Sequence, residues 1–88
     1  MRERDIESHL VRSVKALGGE VRKLKWIGRR GAPDRVVMLP GGRLYWVELK
    51  APGQKAAPHQ AREHERMRGM GQAVVVIDSF DVIEALLK

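Results

Sequence analysis

The sequence predicts an α/β fold, a small mixed sheet flanked by helices on both faces, and three observations lead there. Two apolar runs, Asp34 to Leu39 and Leu44 to Leu49, flank Pro40-Gly41-Gly42-Arg43 and read as a β-hairpin. Val36, Met38, Leu44 and Trp46 lie on one side of it, and Val37, Leu39, Tyr45, Val47 and Leu49 on the other. A hairpin apolar on both faces needs cover above and below. A third run, Ala73 to Asp78, is β-branched and follows a helical segment, the pattern of a buried parallel strand reached by a right-handed crossover.

The elements follow in the order αβββαβα. From Glu3 to Leu17, Ile6, Leu10, Val14 and Leu17 fall at helical spacing and draw one apolar stripe, and Gly18-Gly19 ends the helix. Glu20 to Trp26 alternates loosely and reads as an edge strand. Ile27 to Pro33 is a loop, punctuated by two glycines and a proline. After the hairpin and the loop Ala51 to Ala57, Pro58 suits the first turn of a helix running to about Met70. That helix is mostly polar, so much of it should face water. Ser79 can cap a last short helix, Phe80 to Lys88.

The chain has 88 residues, and its 17 Lys and Arg against 11 Asp and Glu give a formal charge of +6. With a sequence pI near 10.3, a polyanion, nucleic acid first, is the expected partner. The 43% of hydrophobic residues is too high for a disordered basic tail. The absence of cysteine excludes disulfides, zinc ribbons, iron–sulfur clusters and thiol chemistry. No apolar run approaches a membrane span, and the first ten residues lack the apolar centre of a signal peptide, so an intracellular protein is expected. This length allows one domain, 1–88, with no separate recognition domain, and favours oligomerisation.

Charges inside apolar strands are conspicuous. Asp34 starts one strand, and Glu48 and Lys50 end the next. In a hairpin centred near Gly41, Asp34 lies opposite Glu48, and Lys50 shares their face. Two carboxylates so close repel, and a hard divalent cation, Mg²⁺ or Mn²⁺, relieves the repulsion with oxygen ligands and water. The Leu49 backbone carbonyl can supply a third ligand, and Lys50 can orient a water or offset charge in a pentavalent transition state. The competing interpretation is a turn-capping Asp34 and a plain surface pair between Glu48 and Lys50.

Pro33-Asp34, thirteen intervening residues and Glu48-Leu49-Lys50 resemble the PD-(D/E)xK nuclease superfamily. Gly31-Ala32-Pro33-Asp34, then Tyr45 to Gly53 (YWVELKAPG), then Gln60 resemble the VRR-NUC (virus-type replication-repair nuclease) family in its compact stand-alone form. That resemblance implies a restriction-endonuclease-like core. It implies Mg²⁺ or Mn²⁺ on Asp34 and Glu48, assistance to the attacking water from Lys50, and a site-lining Gln60. It also implies a carboxylate from the first helix, for which Glu3 and Glu7 are candidates; Glu7 is preferred, acting directly or through water. Relatives tend to carry Ser or Thr where this chain has Ala57, so the second helix lacks a capping side chain.

Residues 22–35 hold six Arg or Lys against the single acid Asp34, nearly the whole positive excess. Lys25, Arg29, Arg30 and Arg35, with Lys55 from the opposite loop, are the candidate DNA contacts. Trp26 reads either as a core or dimer residue or as a stacking platform for a base. His9, His59 and His64 show no metal spacing and read as surface residues, with His64 partly buried. The expected function is metal-dependent DNA cleavage, branched DNA and four-way junctions first, by a homodimer whose faces involve Ile27, Met70, Phe80, Ile83 or Leu87. The alternatives are a nuclease without junction preference and a non-catalytic DNA-binding module.

Overall fold

A computed structural model describes all 88 residues. Helix α1 (Glu3–Ala16) is followed by strands β1 (Glu20–Lys23), β2 (Arg35–Leu39) and β3 (Arg43–Leu49), helix α2 (Pro58–Gly69), strand β4 (Val74–Ile77) and helix α3 (Phe80–Leu87). The sheet runs β1-β2-β3-β4, with β1–β2 and β2–β3 antiparallel and β3–β4 parallel. This is the expected mixed sheet in the expected order, with α2 as the crossover. The polypeptide has no helix long and apolar enough to cross a membrane.

The strand period of two sorts the side chains. Val37, Leu39, Val47, Leu49 and Ile77 form one face and bury against Ile6, Leu10 and Val14 of α1 and Ile83 of α3. Ile83 is thus an internal residue, and the expectation that it forms a dimer surface is corrected. Leu17 lies beyond the last turn of α1 and is 48% exposed, so the apolar stripe ends at Val14. A Cβ on Gly19 would stand 2.3 Å from the Met38 carbonyl oxygen; only glycine lets the chain turn this closely from α1 into β1.

The opposite face carries Val36, Trp46 and Val74 under α2, and its cover is incomplete, since Leu44 is exposed. The inward stripe of α2 is not apolar: Glu63 and His64 are buried beside Met67, and Gln60 is half-buried. Two expectations change here. His64 is fully rather than partly buried, and β1 ends at Lys23, so Leu24 to Asp34 forms one long loop into β2.

Candidate active site

The hairpin register decides which charges meet. Val36 pairs with Trp46 and Arg35 with Val47. Extended by one residue, that register sets Asp34 opposite Glu48, on the face that α2 covers. The turn is why: Pro40 fixes its entry, and Gly41 and Gly42 take φ of +83° and +80°, which their lack of a Cβ permits. A one-residue slip would have sent Asp34 to the α1 face.

Asp34 is held from several sides. Its carbonyl accepts from the Leu24 N–H (2.9 Å), and its Oδ1 accepts from the Leu49 N–H (3.2 Å). In a regular strand the Leu49 carbonyl lies on the same edge of β3 as its N–H. Glu48 is only 5% exposed. Its Oε2 accepts from Gln60 Nε2 (3.3 Å) and lies 3.8 Å from Lys50 Nζ, while its Oε1 is buried without a partner. Burial first, and then the Asp34 charge, push the Glu48 carboxyl up to about 7. Gln60 has a second duty: its Oε1 accepts from the Ala57 N–H (2.8 Å), the reciprocal half of a capping box, so α2 starts on schedule without a capping side chain at Ala57.

The carboxylates of α1 are placed differently from expectation. Glu7 is bonded to Arg35, with Nε donating to Oε2 at 2.7 Å and a terminal nitrogen donating to the same oxygen. Glu3 is the α1 carboxylate whose charge acts on Glu48. The basic residues divide as well. Arg35, with a side chain 11% exposed, is shared between Glu7 and Asp34 (3.2 Å to Oδ2) and is no free DNA contact. Arg29 forks onto Glu63, with Nε donating to Oε2 (3.1 Å) and its terminal nitrogen to Oε1 (2.8 Å), which holds Glu63 below the usual carboxylate range. Lys25, Arg30 and Lys55 are exposed and have no ion-pair partner.

Sequence reasoning missed Glu63 and the full burial of His64. Their signal was the spacing of Gln60, Glu63, His64 and Met67 along one side of α2, a helical stripe of polar residues. Burial pushes the His64 imidazole down, and its Nε2 has no partner.

Asp34, just before β2, and Glu48 of β3 thus stand opposite each other, near enough for the Asp34 charge to act on Glu48, and Glu48 is buried with a spare oxygen. No three His, Cys, Asp or Glu side chains are gathered into a ready-made metal cluster, so any cation here draws on two carboxylates and backbone or water oxygens. A solved structure described as "VRR_NUC domain" superposes with a TM-score of 0.87 at 44% identity, covering 97% of this chain and 92% of that one. A curated phage protein, "Putative nuclease p44" of Acyrthosiphon pisum secondary endosymbiont phage 1, is 49% identical over 86 residues, 98% of this chain and 92% of that protein. The chain belongs to the VRR-NUC nuclease family. No family model matches the sequence. The VRR-NUC structure matches in fold as well as sequence, so the restriction-endonuclease-like core expected from the motifs is what this chain adopts.

Proposed function

We propose that this VRR-NUC chain is a Mg²⁺- or Mn²⁺-dependent DNA endonuclease whose site is Asp34, Glu48, the Leu49 carbonyl, Lys50 and Gln60. The observation that carries the proposal is the buried Glu48 Oε1, left without a partner beside a second carboxylate. A lone buried carboxylate oxygen costs about 1–3 kcal/mol or more, and a hard cation is the partner that removes this cost. The donor set is all oxygen, which fits Mg²⁺ or Mn²⁺ better than ions that favour nitrogen and sulfur.

When bound, such a cation polarises a phosphate oxygen and lowers the pKa of its water. The residues do the rest. Gln60 fixes the Glu48 carboxylate from α2, and the Leu49 N–H fixes Asp34 from β3. The Lys50 ammonium stands beside Glu48, where it orients the attacking water and offsets charge on the phosphoryl group in the transition state. Glu3, whose charge reaches Glu48, bears on the site from outside the cation's own ligands, and Glu7 acts by holding Arg35. Lys25, Arg30 and Lys55 carry the DNA backbone.

The substrate we propose is branched DNA, four-way junctions first, in a bacterial or phage-infected cell. Symmetrical cutting of a junction needs two sites and so a homodimer. The supports are the family resemblance and the free edge of β1 at one side of the sheet. The test is cleavage of labelled four-way junction, flap and linear duplex of matched sequence with Mg²⁺, Mn²⁺ or EDTA. Junction cleavage that needs either cation is the expected result, with Glu3→Gln losing more activity than Glu7→Gln. Cleavage in EDTA overturns the metal reading, equal rates on junction and duplex overturn the preference, and the reverse order of the two variants overturns the assignment of Glu3.

A further inference from the structure

The loop from Leu24 to Asp34 is fixed at three points. Trp26 Nε1 donates to the Pro33 carbonyl (2.8 Å). Arg29 forks onto Glu63 of α2. The Gly31 backbone seats so closely on the start of α2 that a Cβ there would lie 2.8 Å from the His59 carbonyl oxygen. Between these anchors the tip, Ile27, is 97% exposed. The loop is therefore held in place while presenting an uncovered aliphatic side chain. Next to it Trp26, 37% exposed, packs against Trp46 at 5.6 Å between ring centroids. Trp46 is two residues from Glu48 on the same face of β3, about 7 Å along the strand.

An apolar tip held this near a cleavage centre is a docking surface. Its surroundings say for what: Lys25 and Arg30 are exposed on either side of it, without acidic partners. A second copy of this chain would bring its own basic loop against the same place, and like charges oppose that contact. We propose that Trp26 and Ile27 engage nucleobases exposed where the stacking of DNA is interrupted, Ile27 as a wedge at the break and the Trp26 ring as the platform beside it. This rests on the reading of DNA as substrate and names the feature by which branched DNA is told from continuous duplex.

Both tryptophans of the chain lie in this patch, so tryptophan fluorescence, excited selectively over Tyr45, reports on it alone. In EDTA, a four-way junction is expected to quench that fluorescence, and a continuous duplex to leave it unchanged at equal occupancy, measured by anisotropy of labelled DNA. Ile27→Ser, at a site too exposed to disturb folding, is expected to lower the junction-to-duplex affinity ratio about tenfold. Equal quenching by both DNAs, or an unchanged ratio in Ile27→Ser, overturns the proposal. So does conversion of a wild-type dimer to a monomer by Ile27→Ser in sedimentation, which would give the patch to a second copy. Junction-specific quenching by a chain that cleaves no DNA keeps the patch and defeats the nuclease reading; cleavage without such quenching does the reverse.

Discussion

Glu48→Gln is expected to lower DNA cleavage by about a thousandfold and, at the same time, to make the metal-free protein more stable at pH 8. Both effects have one cause. The folded protein holds the Glu48 proton up to about pH 7, whereas an unfolded chain releases it near the ordinary 4.5. As pH rises through that window the unfolded state sheds the proton first, so Glu48 withdraws stability progressively and the full penalty is present above pH 7. The size is about 3 kcal/mol, because a pKa unit is worth 1.36 kcal/mol. Glutamine keeps the shape and the Gln60 contact but never ionises. Urea unfolding in EDTA is therefore expected to show the variant and the wild type nearly equal at pH 4.5, with the variant ahead by about 3 kcal/mol at pH 8. A stability difference that does not change with pH would show that Glu48 is not a strained carboxylate. In this view the site is kept destabilised so that a cation has something to relieve.

Arg35→Met is expected to cost about 3 kcal/mol of stability, because it leaves the Glu7 carboxylate partly buried without its cation. It also frees Asp34 from the guanidinium at 3.2 Å, and a looser Asp34 is expected to lower kcat about tenfold. Salt dependence separates this internal role from a phosphate contact. Arg30→Met is expected to reduce the slope of log affinity against log salt by about one, and Arg35→Met to leave it unchanged. A reduced slope for Arg35→Met, with stability intact, would return Arg35 to the DNA surface.

Much of this was legible in the sequence for identifiable reasons. The hairpin announced itself through Pro40-Gly41-Gly42 between apolar runs, and its near-symmetry about Gly41 set Asp34 opposite Glu48. The Pro-Asp and Glu-x-Lys motifs stand out because charges are costly in apolar strands. The partners of Arg35 and Arg29 were not legible: Glu7 lies 28 residues away and Glu63 lies 34 away, and no local rule pairs them. Glu3 and Glu7 sit four apart on one helix face, so spacing alone does not choose between them. The polar inner stripe of α2 predicts a helix facing water; its burial comes from Gln60, Glu63 and His64 meeting polar groups of the site and loop. The second helix start, doubtful for want of a cap at Ala57, is secured by a residue inside the helix, Gln60.

The most direct measurement is Mn²⁺ binding itself, followed by the paramagnetic resonance signal of the free ion as the chain is titrated at pH 7.5. Wild type is expected to take up Mn²⁺, and Asp34→Asn and Glu48→Gln each to weaken that uptake at least about tenfold, with Lys50→Ala still binding. Mn²⁺ bound as tightly by Asp34→Asn and Glu48→Gln as by wild type would contradict a cation held between these two carboxylates.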